Sequence, residues 1–415
     1  MNRISGDGYK QGAERKLILS LYFYWFILVL WQNMGSYMAS SAMALALKLG
    51  LVAMLTAIFF VRKDTCLRFV NLFFWSLFCL HAVFLFATKE KGFGGTTLIY
   101  YIFPVLFSFL TLVCQSGAQV DKKSYLLFLR LVVATVAYMA LYSLIFQTEH
   151  FTSFLRLERS YGNELSSFFL SNHEYGMYLV FGITAVMVWY QNTEKRGVHI
   201  LQLLLLLLFG VNLLVTLSRT SMLACGVMVL VFVFFSKKNG VKKWFLFFIA
   251  VVLLALIFTP GSEDFISTIL MKENNDAGRF DMWQAAVEKF QSGNTVQRLF
   301  GWGHTNIEVY LQRNFLHNTV HNMFLQTLLV WGIAGLTFQV GIIASSIVSA
   351  VRLWKKDRNM CAIFLALSFS AVAFMFTNTA CIMQSPIDSF MLTVFTVIVP
   401  KYVANAIHAG TYATD

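Results

Sequence analysis

The sequence predicts an all-α, polytopic integral membrane protein with about 12 transmembrane helices. Three observations predict it. The chain is 58% hydrophobic and 13% charged, whereas a soluble chain runs roughly 45–50% apolar and about 25% charged. The apolar residues gather in nearly charge-free runs of about 17–25 residues, the length that crosses a hydrocarbon core. Twelve such spans need roughly 240 apolar positions, which 58% of 415 residues supplies. A soluble enzyme, a disulfide scaffold, a disordered chain and a β-barrel of short alternating strands are thereby excluded. The formal charge of +12 does not indicate nucleic acid, because the basic residues sit in short loops between spans.

The spans read as 17–33, 42–61, 67–87, 96–114, 124–146, 174–190, 198–217, 220–235, 243–260, 332–350, 360–379 and 388–407. The first run is a full span with no small-residue cleavage site after it. With the N-terminus inside, 19 basic residues fall on inner segments and 10 on outer ones, as the positive-inside rule asks. Both termini are therefore expected in the cytoplasm of a single transmembrane domain, residues 1–415. Two outer loops stand out, 147–173 and the large loop 261–319 before span ten. Long ordered loops are more often functional than idle. The larger one carries five basic and seven acidic residues up to Leu316. An anion bound there must be held by individual arginines, because no general positive field exists. Cys79, Cys114, Cys225 and Cys361 belong to apolar runs or their edges and Cys66 to a basic loop, so no outer pair is expected to oxidise.

Within the large loop, Phe280, Trp283, Val287 and Phe290 recur at helical spacing and predict an interfacial helix opened by Arg279. Span seven ends in Thr216-Leu-Ser-Arg-Thr-Ser221 and span eight follows at once, which places Arg219 in a tight outer turn. An arginine at that boundary needs an anion or a carboxylate; an anchor to lipid phosphate is the alternative. His317 and His321 are four apart, each followed by Asn, and read as neighbours on one helix face. A metal pair, a general base and plain interfacial residues all fit that spacing. No HExxH glutamate accompanies them. Trp302, in Gly301-Trp-Gly-His304, offers a ring for stacking on a sugar or for anchoring at the interface.

The spans themselves are informative. No Asp or Glu lies well inside any of them, Lys48 is the one deep basic residue, and no internal repeat is visible. A coupled transporter or a polysaccharide flippase would keep ionisable or polar groups near the midplane. His81 reads as a satisfied packing residue. The chemistry is expected at the outer surface.

The order of motifs is distinctive: the Ser-Arg-Thr turn, then Gly278-Arg-Phe-Asp-Met-Trp-Gln-Ala-Ala286, Phe300-Gly-Trp-Gly303, His321-Asn-Met-Phe-Leu-Gln326 and Trp331-Gly-Ile-Ala-Gly-Leu336. Over residues 215–345 this resembles the O-antigen ligase and O-antigen polymerase superfamily of bacterial envelopes. The resemblance implies a multi-pass protein of the bacterial cytoplasmic membrane that acts on its outer face. Its donor would be a glycan on undecaprenyl diphosphate, its acceptor another glycan, and its neighbours membrane lipid and other polysaccharide-assembly proteins. It implies no cofactor and no metal, and a metal-independent, inverting transfer. Carried over by position, His321, Arg279 and Arg219 would be catalytic. Arg219, Arg279, His317, Asn322, Trp302 and, in a looser basic motif with Arg156, Arg159 would contact substrate. Polymerisation of lipid-linked repeat units for O-antigen, capsule or exopolysaccharide is favoured, with ligation to a lipid A-core acceptor as the alternative.

Overall fold

The computed structural model describes residues 69–90, 95–109, 120, 122–155, 165–167, 169, 171–237, 279–378 and 392–410. Spans one, two and nine, together with Lys48, Arg156 and Arg159, lie outside the described residues. Those described form helices and no strand. In chain order they are α1 Phe69–Lys89, α2 Gly95–Ser108, α3 Lys122–Phe146, α4 Thr148–Leu155, α5 Asn172–Gln191, α6 Arg196–Val215 and α7 Arg219–Phe235. Then come α8 Arg279–Ser292, α9 Thr295–Phe300, α10 His304–Phe315, α11 Met323–Arg352, α12 Arg358–Thr377, and a π turn Val394–Ile398 leading into α13 Val399–Ala409.

Five of these helices are long and apolar enough to cross a membrane among the described residues: α3, α6, α11, α12 and Asn71–Lys89 within α1. The helix α5 is different in kind. It is apolar all round and buried at every position from Tyr175 to Val188, as expected of a central helix walled by protein. Helices α3, α6, α7 and α12 pack around it. Close approach is built in at Gly176, where a Cβ would meet Ser221 Oγ of α7 at 2.4 Å, and at Gly182, where it would meet Val136 of α3 at 2.7 Å. The outer ring shows apolar side chains to its surroundings instead: Leu204 and Leu207 of α6 and Leu230 and Phe234 of α7 are exposed.

Hydrogen bonds define the two ends of the bundle. The starts of α5, α7, α8 and α11 gather at one end, which we call the arginine end. The described turns 216–218 and 316–322 and the start of α5 belong to this end. At the opposite end, Arg358 Nε donates to Phe235 O at 3.0 Å and Lys356 Nζ to His408 O at 2.9 Å.

Span ten differs from expectation. Its helix begins nine residues earlier, at Met323, and Gly332 at φ 67° breaks it where the span was expected to start. A break there frees the carbonyls of Leu329 and Val330. The amides of Trp302 and Gly303 take them, at 2.9 and 3.2 Å. A Cβ on Gly301 would lie 2.2 Å from Val330 O, and one on Gly332 would lie 2.4 Å from Leu299 O. The Gly-Trp-Gly and Trp-Gly motifs are thus two halves of one clamp, which docks α9 and α10 onto the kink of α11. His81 closes the same joint, with Nε2 2.9 Å from Phe300 O, in line with its reading as a packing residue.

Candidate active site

The site is built on four helix starts. Between α6 and α7 the chain reverses within Thr216–Ser218. Leu217 takes a left-handed φ of 52°, a conformation that costs a non-glycine residue roughly 1–2 kcal/mol. The turn is held from several sides. Ser218 N donates to Thr216 Oγ1 at 3.2 Å, Asn172 Nδ2 to Thr216 O at 2.9 Å, and Ser218 Oγ accepts from Ser221 N as the cap of α7. Arg219 is the first helical residue after that cap and is half-buried. A polar chain continues into α5: His173 Nδ1 lies 2.7 Å from Ser218 Oγ, and Ser221 Oγ donates to His173 O at 3.2 Å.

Arg279 opens α8, as expected. Its guanidinium donates to Thr377 O at 3.1 Å, and Thr220 Oγ1 donates to the same carbonyl at 3.4 Å. One carbonyl at the end of α12 therefore ties the start of α8 to the start of α7, next to Arg219. The face of α8 that packs is rotated from the expected stripe. Met282 and Ala286 are buried, and Trp283 and Phe290 pack against the core from partly buried positions, whereas Phe280 is 65% and Val287 39% exposed. The helix is held by α11 and by Phe376 of α12, and core contact selects that face.

The histidines need a correction. Residues 316–322 are not helical, so His317 and His321 do not share a helix face. Leu316 ends α10 at φ 58°, and Asn322 begins α11 as its cap, its side-chain oxygen accepting from Phe324 N and Leu325 N at 3.0 and 3.2 Å. The four-residue spacing belongs to a loop between two capped helices. The two rings still meet edge to face, with centroids 5.5 Å apart.

His321 itself has φ 52°, and its neighbours fix it there. Trp283 Nε1 donates to Val320 O at 3.0 Å, Val320 N donates to Gln326 Oε1 at 3.1 Å, and Asn322 is tied up as the cap. A strained residue persists only where its surroundings over-determine it. Burial, then the charges of Arg279 and His317, hold the imidazole down at about 4. It is neutral at physiological pH, with a lone pair to accept a proton. Arg279 and His321 are also within electrostatic reach of His173. His173, the Ser218–Arg219 turn, Arg279 and His321 therefore form one cluster, with His317 at its exposed rim.

The remaining expectations fall elsewhere. Asn322 is 3% exposed and engaged in capping, so its position serves the loop rather than open contact. Trp302 is 7% exposed, its amide used by the clamp and its ring beside Phe290 and 6.0 Å from Lys289 Nζ. No described hydrogen bond or ring contact joins it to the cluster. Arg159 lies outside the described residues. Sequence reasoning passed over His173, Trp283 in its hydrogen-bonding role, and Gln326. A signal existed for each. Ser171-Asn-His-Glu174 is a helix-start pattern, and Gln326 closes the His-Asn-Met-Phe-Leu-Gln motif.

Fold and cluster together define an all-helical, multi-pass membrane protein whose polar centre sits at one end of the bundle. Residues 203–340, about a third of the chain, match the family model described as O-antigen ligase. The match bears out the resemblance to the O-antigen ligase and polymerase superfamily and supports a function of that type. It contains Arg219, Arg279, His317 and His321, and it stops short of His173. No curated protein matches the chain.

Proposed function

We propose that this chain transfers a glycan from undecaprenyl diphosphate to a sugar hydroxyl at the outer face of the bacterial cytoplasmic membrane, without a metal and with inversion. The observation that carries the reading is the meeting of Arg279 and the Arg219 turn at the carbonyl of Thr377, beside a neutral, buried His321. The starts of four helices meet at this cluster, and each N-terminus adds partial positive charge.

In this reading Arg219 and Arg279 hold the diphosphate through paired N–H donors and neutralise the charge that grows as the glycosidic bond breaks. His321 accepts the proton of the acceptor hydroxyl. The oxygen attacks the anomeric carbon from the face opposite the diphosphate, the bond to the diphosphate breaks, and its electron pair leaves with the lipid diphosphate. After burial, the charge of Arg279 depresses the basicity of His321. A bound diphosphate reverses that effect, because its negative charge compensates the guanidinium and favours the imidazolium. The base is thus strengthened when the donor is present.

Polymerisation of lipid-linked repeat units is our first reading. The family match, described as O-antigen ligase, favours a second one, ligation to a lipid A-core or other acceptor. A deletion strain separates them. Loss of a polymerase leaves single repeat units on lipid and on the final acceptor, whereas loss of a ligase leaves long lipid-linked polymer. Unchanged envelope glycans and lipid-linked pools would overturn both readings.

A further inference from the structure

A second polar centre lies away from the arginine–histidine cluster. A cavity of about 610 Å³ opens between the end of α1, the last turn of α8, the short α9 and α10. Its walls carry three cations, Lys89, Lys289 and Arg313, and no carboxylate. None of the three makes an ion pair among the described residues. None of the neighbouring carboxylates pairs with these cations among the described residues: Glu288 Oε1 accepts from Gln284, Glu308 faces His304, and Glu90 Oε1 accepts from Tyr101 and from His304 N. Lys289 Nζ is positioned by two rings, 5.0 Å from the centroid of Tyr310 and 6.0 Å from that of Trp302. With three cations and no carboxylate in its wall, the cavity favours an anion, although the adjacent Glu90, Glu288 and Glu308 keep their charges.

The amides in the wall add hydroxyl recognition. Asn306 spends Nδ2 on the carbonyls of Trp302 and Lys89, Asn314 spends Nδ2 on Tyr310 O, and Gln297 spends Oε1 on Asn294 N. Each amide is anchored by one end and presents the other, which gives two acceptors and one donor at fixed positions. A lipid headgroup phosphate has no need of them; a saccharide does. The volume is that of an ordinary small-ligand site.

We propose that this cavity binds an anionic saccharide, one that carries a carboxylate or phosphate. Lys289 is ten residues after Arg279 on α8, about 15 Å along the helix. Arg313 and Asn314 immediately precede the loop that carries His321. A glycan seated here lies a few sugar units from the cluster, so we assign it to the acceptor arm, an assignment that rests on the transfer reading. The binding itself does not.

The test uses the purified full-length protein in nanodiscs of zwitterionic lipid. Calorimetry compares an oligouronate of four sugars with a neutral oligosaccharide of the same length. The oligouronate should bind at least about tenfold more tightly. Lys289→Gln and Arg313→Gln should each weaken it about tenfold, and Lys355→Gln, exposed at the opposite end of the bundle, should leave it unchanged. Equal binding of the two sugars, or indifference to both Gln variants, overturns the proposal. So does loss of oligouronate binding in nanodiscs that contain phosphatidylglycerol, which would mark a lipid headgroup site, and so does an equal loss in Lys355→Gln. Failure of the transfer reading is separate: oligouronate binds as expected, yet the protein makes no product from any lipid-linked donor.

Discussion

Both ends of the bundle use arginine to finish a helix, Arg279 on Thr377 O at one and Arg358 on Phe235 O at the other, but their backbones differ. At the end formed by residues 353–359 with α7 and α13, basic side chains finish helices: Arg358 takes the carbonyl of Phe235 and Lys356 that of His408. Asp357 caps α12 by accepting from Met360 N, and Asn359 Oδ1 accepts from Lys237 N. No described non-glycine residue there has a positive φ. At the arginine end, Ser167, Leu217, Leu316 and His321 all do, and three of them flank or form the cluster. Cations at helix C-termini are cheap stabilisers. Strained backbone beside arginines is a cost, and it is kept where geometry matters more than stability.

The comparison breaks most sharply at His321. His321→Ala should cost roughly 10²–10⁴-fold in the rate of glycan transfer, with unaltered yield and thermal stability. Arg358→Ala, at the other end, should lower the melting temperature and leave the rate per folded molecule unchanged. Assay of both variants with a lipid-linked donor decides. If Arg358→Ala loses rate and His321→Ala does not, the roles of the two ends are exchanged. His317→Ala should be milder than His321→Ala; the reverse order would move the base to the exposed ring. Loss of wild-type activity with a chelator would make the pair a metal site.

Next in size are the arginines. Arg219→Lys and Arg279→Lys keep the charge and lose the fork, and each should reduce transfer by roughly 10²-fold. Full activity of both at normal protein level would leave them as interfacial anchors.

The sequence made the architecture legible because hydropathy and charge asymmetry are summed over many residues. The described helices fall close to the expected spans, and Arg279 opens its helix as expected. What it did not make legible depends on single backbone torsions. The kink at Gly332 and the left-handed residues Leu316 and His321 are invisible to periodicity. An i, i+4 histidine pair therefore read as helix, although Asn322, an N-cap residue type, stood between it and α11. Trp302 carried two readings in the sequence, sugar platform and interfacial anchor; what periodicity could not show is how closely its ring is packed, a Cβ on Gly293 meeting it at 2.3 Å. His173 was missed because its partner Ser218 lies 45 residues away in sequence.

A smaller effect sharpens the contrast between holding a helix and holding a base. Among the described residues Trp283 bonds to the cluster's loop through Val320 O, so it acts as a positioning residue. Trp283→Phe keeps most of the packing and deletes the donor. The expected result is about a tenfold fall in kcat with KM unchanged. A change in KM alone, or in melting temperature alone, would make the bond ordinary packing.

The smallest expected effect is a pH response that does not occur. His321 lies at about 4, lowered first by burial and then by the charges of Arg279 and His317. A lowered histidine stays neutral as pH falls, until its own pKa is reached. The neutral form is the base, so kcat/KM, which reports the free enzyme, should be flat from pH 8 to about 5 and decline only below that. An unshifted histidine near 6.5 would already be about three-quarters protonated at pH 6, and kcat/KM would have fallen about fourfold. Arg279→Gln removes one of the charges that depress the pKa, so its acid limb should begin at higher pH than in the wild type, while burial keeps it below 6.5. A wild-type limb centred at 6.5 that Arg279→Gln does not move would show that the titrating base is not the buried ring beside Arg279.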